Sequence, residues 1–353
     1  MSLPPPVSVI VVNFNRVNLL RACLDSLARQ EKIEAEWIVV DNGSSDGSAA
    51  MVASEFPQAK LIRSAVNLGF CAGNNLGIAA AQGEFVALLN NDAVADPLWL
   101  SAMAAEMTDR RVGMVASKIL VAGRTDRTDR MDRTDSTEVI DKIGHGIYWD
   151  GQNRGRGSGQ LDRGQYDSQR DILWPDGCAA LYRKNMLDQV GGFDEDFFAY
   201  ADDAELGLRA RSAGWTARYA PDAVVHHLRG ATMGKRNLRR IQLIERNRIW
   251  LATKHFPLWL LLLNPYFYLL RLIAGFLAAL AGQGEAGQVL GFRAKLNLAV
   301  ALLAADWEAL RGIPNMWAKR RAWRTKRKWN DSQVFALLRK HRLSLTEISK
   351  NVA

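Results

Sequence analysis

Short apolar segments that end in polar side chains restrict the fold of this chain more than any other feature of its sequence. Val7–Val12 runs into Asn13-Phe14-Asn15, Trp37–Val40 into Asp41-Asn42-Gly43, and Phe85–Leu89 into Asn90-Asn91-Asp92. Nearly continuous apolar runs of this length are typical of buried parallel strands, and helical segments separate them. Parallel strands end at one edge of a sheet, where open α/β folds bind their ligands. The pattern therefore predicts an α/β protein with a binding site at that edge.

The composition fits one large domain with a smaller appendage. The chain has 353 residues, of which 48% are hydrophobic, so it can bury a sizeable core. Cys23, Cys71 and Cys178 form no CxxC pair, which argues against a disulfide framework or a zinc site and fits a reducing cytoplasm. The N-terminus lacks a basic region followed by an apolar one, so we expect no secretory signal.

Two changes in composition predict the domain boundaries. Residues 1–234 hold the alternating strand and helix pattern and most of the clustered acidic residues, and we expect them to form the α/β domain. Within it, residues of about 123–137 form a charged Thr-Asp-Arg repeat with no hydrophobic face to bury, which predicts an exposed insertion. Residues 235–353 are predicted to be helical, and they carry much of the net charge of +9.

The helical part contains an apolar segment at residues 256–281 and a basic segment at residues 311–329. Asn264-Pro265 and Arg271 interrupt the apolar segment, so we expect two amphipathic helices lying in a membrane interface and not one spanning helix. A helical hairpin packed on the catalytic domain or on a partner subunit is the alternative. The basic segment combines eight Lys/Arg with three tryptophans and no acidic residue, which favours an anionic membrane leaflet.

The polar ends of the predicted strands supply candidate ligand groups. Asp41 can accept a hydrogen bond from a nucleotide base and Phe14 can stack on it, although singly each is also typical of a turn and a core. Asp92 and the asparagines before it offer hard oxygen atoms of the kind that Mg²⁺ or Mn²⁺ binds. His227, or with less support His226, ends the last predicted strand of this domain and can add a nitrogen ligand.

An acidic and aromatic segment, residues 191–205, has two interpretations. Its carboxylates can cap the helix that follows, because acidic side chains are favoured in the first helical turn. Alternatively, a carboxylate held among aromatic rings at a cleft has a raised pKa that suits a general base. The segment alone does not decide between them.

Several motifs in a fixed order give the chain a resemblance to a known family. They are Val7–Asn15, Val40–Ser48, Asn67-Leu68-Gly69-Phe70 with Gly73-Asn74-Asn75, Leu88–Asp92, Gly191–Glu195 with Phe197-Phe198, and the strand ending in His227. Over residues 7 to about 232 the sequence resembles the family-2 glycosyltransferases of GT-A fold, especially the bacterial rhamnosyltransferase and galactofuranosyltransferase-like group. The resemblance implies a Rossmann-like, mostly parallel central sheet flanked by helices.

The resemblance also implies roles for individual residues. The Asn67–Asn75 loop would lie along the diphosphate of a nucleotide-sugar, and the donor-binding residues would be Val12, Phe14, Asp41, Asn67, Gly69, Asn74 and Asn91. Asp92 takes the last position of the family's DxD motif and would bind a divalent cation, Mg²⁺ or Mn²⁺, together with His227. Asp203 matches the catalytic base. The residues expected to support it on the acceptor side are Asp202, Glu205, Trp174 and Asp176.

Two positions depart from the family pattern. Asn90 stands where the DxD motif has its first aspartate, which weakens the expected metal affinity but not the location of the site. The family has Glu-Asp followed two residues later by Asp, where this chain has Asp202-Asp203-Ala204-Glu205. Only the lengths of these carboxylate side chains differ from the family pattern, so their negative charge is kept.

These matches imply an inverting, metal-dependent transfer of one sugar, with rhamnose expected. The donor would be a dTDP- or UDP-sugar and the acceptor a hydroxyl of a glycan or polyprenyl-linked glycan, in cell-envelope polysaccharide synthesis. The protein would lie peripherally on the cytoplasmic face of the bacterial inner membrane. The Gln-x-x-Arg-Trp motif and multiple membrane helices of the processive synthases are not visible in the sequence.

Other functions have less support in the sequence. No GxGxxG follows the first strand and no Walker A motif occurs, which argues against a dehydrogenase or a P-loop NTPase. A sugar nucleotidyltransferase would need a basic, glycine-rich loop after the first strand, where the chain has Asn13-Phe14-Asn15-Arg16. A non-catalytic membrane or nucleic-acid adaptor that uses the basic C-terminal part is a further alternative, although we expect no nucleic-acid partner.

Overall fold

A computed structural model of the protein describes residues 6–122, 138–228, 237–281 and 292–350. The insertion predicted at about residues 123–137 lies outside these ranges, and so does the predicted domain boundary at residues 234–235.

The first part of the chain alternates strands and helices as the apolar pattern predicts. Its elements are β1 (Val7–Asn13), α1 (Val17–Ala28), β2 (Ala35–Asn42), α2 (Ser48–Glu55), β3 (Lys60–Ser64), α3 (Gly69–Ala80), β4 (Phe85–Leu89), β5 (Ala93–Ala95) and α4 (Trp99–Ala105). The next are β6 (Val112–Val121), β7 (Ile140–Lys142), β8 (His145–Ile147), β9 (Asn153–Gly155), β10 (Ala179–Arg183), α5 (Lys184–Val190), α6 (Asp202–Ser212) and β11 (Thr216–His227).

The central sheet has the strand order β3-β2-β1-β4-β10-β6-β11-β5, with β7 added beside β6. The strands β3, β2, β1 and β4 are parallel, so their carboxyl ends share one edge. Beyond β4 the sheet is mixed, because β10 runs antiparallel to both β4 and β6. Strands β8 and β9 form a separate hairpin. The predicted α/β class is confirmed.

Helices cover both faces of the sheet. Side chains alternate across a strand, so Val9 and Val11 of β1 enter one buried cluster and Ile10 enters the other. The first cluster includes buried residues of α1, α2 and α4. The second includes buried residues of α3, α5 and α6.

The C-terminal part is helical, as expected. Its elements are α7 (Leu238–His255), α8 (Leu258–Leu262), α9 (Asn264–Leu280), α10 (Phe292–Arg324), α11 (Asp331–Lys340) and α12 (Leu345–Lys350). Helix α10 packs so closely on α7 at Gly312 that an added Cβ there would lie 2.4 Å from the Trp250 ring. The Trp250 indole also donates a hydrogen bond to the Ala309 carbonyl at 3.0 Å. The apolar segment breaks at Asn264, between α8 and α9, where the sequence predicted an interruption.

Arg271, the one cation expected inside the apolar segment, fixes α9 to the rest of the molecule. Its guanidinium lies 2.6 Å from Asp150 Oδ2 and 2.6 Å from Glu245 Oε2. Both carboxylates are buried, so α9 turns its polar side inward. No helix in the described ranges is both long and apolar enough to cross a membrane.

Helices α9 and α10 present large apolar side chains to the outside. Phe276 and Leu280 of α9 are 64% and 70% exposed, and Leu303 of α10 is 70% exposed. In the first half of α10 the buried positions are small, with Ala301, Ala305 and Ala309 about one turn apart. Water-soluble helices place their apolar side chains inward, so these two helices have the inverse pattern. We call this surface the outer face of α9 and α10.

Candidate active site

The polar ends of β1, β2 and β4 meet at one edge of the sheet, as the sequence predicts. Asn13 pairs with Asp41 in the register of β1 and β2. Asn91, just after β4, donates from Nδ2 to Asn13 Oδ1 at 2.6 Å. A chain of direct contacts therefore joins these three strand ends.

Asp41 and Phe14 lie at the ends of the adjacent strands β2 and β1, and they differ in exposure. Asp41 is 3% exposed, and its Oδ1 has no hydrogen-bond partner within the described part of the chain. The ring of Phe14 is half-buried at the end of β1. Because a buried carboxylate oxygen is costly to leave unpaired, Asp41 Oδ1 is an acceptor suited to an incoming N–H group.

The segment that follows β3 is held by Asn42. The Asn42 amide donates to Asn67 Oδ1 at 3.1 Å and to the Gly69 carbonyl at 3.0 Å, and it accepts from the Leu68 amide at 2.9 Å. Asn67 Oδ1 accepts a further hydrogen bond from the Gly69 amide at 2.9 Å. Asn67 therefore shapes the backbone in front of α3.

The prediction of a loop over Asn67–Asn75 is wrong, because α3 begins at Gly69. The glycines in this stretch allow the helix to lie close to β1. A Cβ on Gly73 would come within 2.8 Å of Val12, and one on Gly77 within 2.5 Å of Ile10. Glycine signalled close packing of a helix against the sheet here, and not a flexible loop.

The amino end of α3 is closed by Phe198 from the acidic segment. The amides of Phe70 and Cys71 both donate to the Phe198 carbonyl, at 2.8 and 3.1 Å. Gly69 has φ +83°, and a Cβ there would lie 2.5 Å from the Phe198 ring. Asn74 is buried and donates to the Phe70 carbonyl at 2.9 Å. In this conformation, Gly69 therefore packs against Phe198, and the Asn74 amide is bound to the backbone of α3.

Asp92 and His227 come together, as the sequence predicts for a metal site. His227 Nε2 lies 3.3 Å from Asp92 Oδ1, and Nδ1 lies 2.8 Å from Asp141 Oδ2. Burial lowers the pKa of His227, but Cys178, Asp141 and Asp92 raise it to about 12. His226, the weaker candidate, points elsewhere and lies 3.3 Å from Asp96.

The pair fits a divalent cation by the chemistry of its atoms. Asp92 Oδ1 is buried without a hydrogen bond among the described residues, and an imidazole nitrogen faces it. A carboxylate behind the other ring nitrogen, here Asp141, is the usual support of a metal-binding histidine. Oxygen and nitrogen ligands of this kind suit Mn²⁺ and, with water, Mg²⁺.

Asp203 lies at the amino end of α6 in a cluster with three other polar side chains. Its Oδ2 accepts a hydrogen bond from the Gly177 amide at 3.3 Å and lies 3.6 Å from His145 Nε2. The same His145 nitrogen is 2.9 Å from Asp176 Oδ2, which also lies 2.7 Å from Lys142 Nζ. The Trp174 ring stacks on His145 with centroids 6.0 Å apart.

Charge within this cluster sets the protonation of its carboxyl groups. Burial raises the pKa of Asp203, and so does the charge of Asp176, while His145 and Lys142 lower it. Burial and the neighbouring Asp203 raise the pKa of Asp202 well above its usual range. Burial also raises the pKa of Asp176, but Lys142 and His145 lower it well below its usual range.

The cluster is a second place where a cation could bind. The ligand atoms of His145, Asp176 and Asp203 all lie within 4.8 Å of one another. However, the Lys142 ammonium already neutralises Asp176 from 2.7 Å. The atoms of this cluster are thus satisfied by internal charge. Asp92 Oδ1 has no hydrogen bond among the described residues, but it lies 3.3 Å from His227 Nε2.

Glu205, which was expected to support Asp203 on the acceptor side, does not join the polar cluster of Asp203. It is completely buried on the other side of α6, 2.6 Å from Arg209, 2.6 Å from Lys254 Nζ and 3.1 Å from His255 Nε2. Burial raises its pKa, but Arg209 and Lys254 lower it well below the usual range, so it is ionised. Its partners on α7 explain its position.

Neither Asp202 nor Asp203 caps α6 through its side chain at the N-cap position, which is Ala201. Asp202 is 5% exposed, while Asp203 accepts hydrogen bonds from the Gly177 amide at Oδ2 and from the Ala204 amide of the first turn of α6 at Oδ1, the latter at 2.7 Å. The two predicted roles of the acidic segment therefore meet in Asp203, although it is not the N-cap residue. Asp203 belongs to the polar cluster, and Asp194 and Glu205 form ion pairs with Lys254 of α7.

The sequence reasoning missed Asp141, Lys142 and His145. All three follow the charged repeat, in a stretch whose apolar residues are too few to show a strand period. The available signal was the pair of charged residues between Ile140 and Ile143, because charged residues inside an apolar stretch are costly without a partner. That signal points to a functional or ion-paired site but not to its partners.

A contact chain joins the two ends of the site. The Asn90 amide donates to the Cys178 carbonyl at 2.8 Å, next to the Gly177 amide that binds Asp203. Asn91 in turn binds Asn13, opposite Asp41. Asp41, Asp92 and Asp203 thus surround the same carboxyl edge of the parallel strands.

This arrangement agrees with the family to which the chain belongs. The sequence profile described as "Glycosyl transferase family 2" matches residues 8–191, just over half of the chain. The protein is a member of glycosyl transferase family 2, and its class is that of a transferase.

Two curated relatives cover a large part of the chain. N-acetylglucosaminyl-diphospho-decaprenol L-rhamnosyltransferase of Mycobacterium tuberculosis is 26% identical over 267 residues, which are 71% of this chain and 85% of that protein. The O-antigen biosynthesis protein RfbC of Myxococcus xanthus is 27% identical over 261 residues, which are 72% of this chain and 19% of that protein. The chain thus spans only about a fifth of the second relative.

A solved structure has the same fold. The crystal structure of S. aureus TarS, residues 1–349, in complex with UDP has a TM-score of 0.50 at 16% sequence identity. The superposition covers 95% of this chain and 90% of that one. The GT-A type of α/β fold followed by a helical region is therefore confirmed.

The contact between Gly69 and Phe198 can be tested by comparing two glycines of similar backbone conformation. Gly69→Ala should destabilise the fold by about 1–3 kcal/mol more than Gly47→Ala, because the added methyl group collides with the Phe198 ring. Gly47 has φ +87° with no atom within 4 Å of its added Cβ, so it reports the backbone strain alone. Urea unfolding followed by circular dichroism measures the difference. Equal destabilisation would contradict the closure of α3 by Phe198.

Proposed function

We propose that the protein is an inverting glycosyltransferase that adds a single sugar from a nucleotide-diphosphate donor to a hydroxyl of a glycan or polyprenyl-linked acceptor. The setting would be cell-envelope polysaccharide synthesis. The observation that carries this proposal is the position of Asp203, a largely buried carboxylate with a raised pKa at the same edge as Asp41 and Asp92. Membership of glycosyl transferase family 2 supports it.

In this proposal the donor nucleotide lies across the ends of β1 and β2. Asp41 Oδ1 accepts a hydrogen bond from the base, because it is a buried acceptor without a partner among the described residues. Phe14 stacks on the base, since its ring is half-buried at the same edge. Val12, Asn67, Gly69, Asn74 and Asn91 shape this pocket through the contacts described above.

Asp203 acts as the general base and takes the proton from the acceptor hydroxyl, which attacks the anomeric carbon. Its raised pKa makes it a better proton acceptor than an ordinary carboxylate, provided that it is ionised at the working pH. His145 and Lys142 favour the ionised form by their positive charge. Trp174 and Asp176 hold His145 in place, and Asp202 lies beside the base.

A divalent cation, Mn²⁺ or Mg²⁺, would be held by Asp92 and His227. When bound, it would supply positive charge for the departing nucleoside diphosphate. We place it there and not on His145, Asp176 and Asp203, because Asp92 Oδ1 is buried without a hydrogen bond among the described residues. His227 would release its proton when the cation binds, since its pKa is raised to about 12 and only the neutral imidazole is a ligand. A cation on Asp203 would also take up the lone pair that a base needs.

The identity of the sugar rests on the relatives alone. The Mycobacterium tuberculosis relative named above is an L-rhamnosyltransferase that acts on a diphospho-decaprenol-linked sugar, at 26% identity. Rhamnose from a dTDP-sugar is therefore our first candidate, and a UDP-sugar is the second. Thermal stabilisation by dTDP-, UDP- and GDP-sugars with Mn²⁺ identifies the donor, because a ligand that binds the folded state raises the melting temperature.

Asp203→Asn should lower kcat by about 10²–10⁴-fold, because the amide cannot accept the proton. The Kd of the donor should stay within about twofold, since Asp203 is not among the side chains proposed to hold the nucleotide or the cation; a loss of 1.4 kcal/mol would already be tenfold. Steady-state transfer to a synthetic lipid-linked acceptor and calorimetric donor binding measure the two effects.

The matched control is Asp188→Asn, which changes an exposed carboxylate paired only with Lys184 at a distance of 3.5 Å among its described contacts. It should retain the turnover of the parent protein. Unchanged turnover in Asp203→Asn would contradict the assignment of the base.

Asp92→Ala should abolish the part of donor affinity that depends on Mn²⁺. The reason is that the substitution removes the buried oxygen that faces His227. Calorimetric titration of the donor with and without Mn²⁺ measures this part. Asp96→Ala, which removes a carboxylate at the surface beside His226, should keep it. A metal effect of the same size in both variants would exclude Asp92 as a ligand.

We also propose that the outer face of α9 and α10 binds the surface of an anionic membrane. The large exposed apolar side chains lie on helices that are held to the protein by their other side. Trp307 lies on this face, with Arg311 stacked over its ring at 4.9 Å. Tryptophan next to a cation is typical of the lipid headgroup region. Such binding would put the enzyme on the cytoplasmic face of the inner membrane.

The basic segment contributes less to this surface than its composition predicts. Lys319, Arg324 and Arg327 form ion pairs with carboxylates of the protein, and Arg320 is buried. Arg311, Arg321, Lys326 and Lys328 are the exposed cations that can meet anionic lipid.

Flotation of the full-length protein with vesicles tests the membrane proposal. The protein should float with vesicles that contain phosphatidylglycerol, and Leu303→Asp combined with Phe276→Asp should remain at the bottom of the gradient. These positions are exposed, so the free energy of unfolding should change by no more than about 0.5 kcal/mol for each substitution. Leu161→Asp, at an exposed leucine of the catalytic domain, is the control and should float. Flotation of the double variant would contradict the proposal.

A further inference from the structure

The segment in front of Asp203 has an unusual backbone. Phe198, Tyr200 and Ala201 have φ values of +63°, +70° and +55°, which side chains other than glycine rarely adopt. At Phe198, ψ is −58°, and the Ala199 amide donates to the Phe197 carbonyl at 2.7 Å. This is a γ-turn with positive φ, a rare and strained form. Such conformations persist only where the surrounding structure holds them.

Asn247 of α7 makes the contacts that hold this segment. Its Nδ2 lies within hydrogen-bond distance of the carbonyls of Phe197, Ala199 and Tyr200, at 2.9, 2.9 and 2.7 Å. The side chain is completely buried, so water does not replace these contacts. An amide group is suited to this position because it offers two N–H donors and an acceptor at once.

Arg246, the neighbour of Asn247, completes the support. Its Nε donates to Asn247 Oδ1 at 2.9 Å, which fixes the orientation of the Asn247 amide with its nitrogen toward the segment. Its Nη2 donates to the carbonyls of Asp196 and Phe197 at 3.1 Å each. The guanidinium stacks on Trp250 at 4.2 Å. The position of the donors is thus determined by packing of α7.

We propose that Asn247, oriented by Arg246, is a positioning residue that sets the place of the Asp203 carboxylate. The segment it holds ends at Ala201, two residues before Asp203, and Ala201 is the N-cap residue of α6. A relaxed segment would rotate the start of α6 and move Asp203 away from Gly177 and His145. This inference rests on the proposed role of Asp203 as the base.

The position of α7 gives the helical C-terminal part a function in the reaction. The match to the family profile ends at residue 191, before both Asp203 and Asn247. Lys254 of the same helix lies 2.6 Å from Glu205 and 2.5 Å from Asp194, on either side of the strained segment. Helix α7 therefore holds the segment at its two ends and in its middle.

Asn247→Ala in the full-length protein is the first test. We expect kcat to fall by about 100-fold, because a displacement of about 1 Å at a reacting group has an effect of that size. The Kd of the donor should stay within about twofold, since the strand ends are untouched; a tenfold change would need 1.4 kcal/mol. Gln242→Ala removes an amide of α7 that contacts Arg239 of the same helix and should keep the parent kcat.

Hydrogen exchange measures the same effect without any substrate. In Asn247→Ala, amides of residues 197–203 should exchange faster, while those of β1 should keep the parent rate. This result is independent of whether the protein transfers a sugar. If the parent protein transfers no sugar to any acceptor, the proposed function fails while the exchange data still test the support by Asn247.

Two further variants separate positioning from general stability. Arg246→Lys keeps the charge but loses the hydrogen bonds from Nη2 to the Asp196 and Phe197 carbonyls. It should also lower kcat, and it replaces Asn247→Ala as the test if that variant does not fold. Ala201→Gly added to Asn247→Ala should restore part of the lost kcat, because glycine adopts φ +55° without strain. A purely stabilising role of Asn247 predicts no such restoration.

Parent-like kcat and parent-like exchange of residues 197–203 in folded Asn247→Ala would overturn the proposal. The proposal would also be overturned if Asn247→Ala lost activity, Ala201→Gly did not restore it, and the hydrogen exchange of residues 197–203 stayed unchanged.

Discussion

The buried ion pairs of Glu205 with Arg209 and Lys254 determine where the acidic side chains around them point. Successive residues of a helix are rotated by about 100°, so residues two positions apart point to nearly opposite sides. Because Glu205 is held against α7, Asp203 must face the opposite side, where Gly177 and His145 lie. Removing one partner of a completely buried ion pair would leave a buried charge without compensation, which strongly destabilises the folded state. The direction of Asp203 is therefore fixed by charges on a different helix.

The same separation explains why one short segment carries so many carboxylates. Asp194 lies 2.5 Å from Lys319 of α10 and 2.5 Å from Lys254 of α7, so it ties both C-terminal helices to the α/β domain. Asp202 and Asp203 remain on the side of the sheet edge. Their raised pKa values follow from burial and from a neighbouring carboxylate, which is Asp203 for Asp202 and Asp176 for Asp203, in contrast to the lowered pKa of Glu205 among cations.

The sequence predicted those features that depend on neighbouring residues and on the order of elements. The apolar runs identified β1, β2 and β4, and their polar ends correctly located Asp41, Asn91 and Asp92 at one edge. The motif order also singled out Asp203 and His227, which the structure brings to this edge. The reversal of β10 relative to β4 was beyond this reasoning, since strand direction depends on long-range pairing.

Features that depend on distant partners were missed. Nothing near Asn247 in the sequence indicates that it binds carbonyls of residues 197–200, about fifty positions earlier. Lys142 and His145 meet Asp176 only because β7 and β8 pass beside the loop before β10. The apolar segment was recognised, but its inverse orientation depends on Arg271 reaching Asp150 and Glu245.

The pH dependence of kcat for the parent protein and for His145→Gln tests the role of Asp203 most directly. A base works in its ionised form, so kcat must fall as pH decreases through the pKa of Asp203, which burial raises above its ordinary value of 3.8. Positive charge at His145 lowers this pKa, so His145→Gln should move the acid limb of the profile to higher pH. Identical acid limbs in the two proteins would contradict the account.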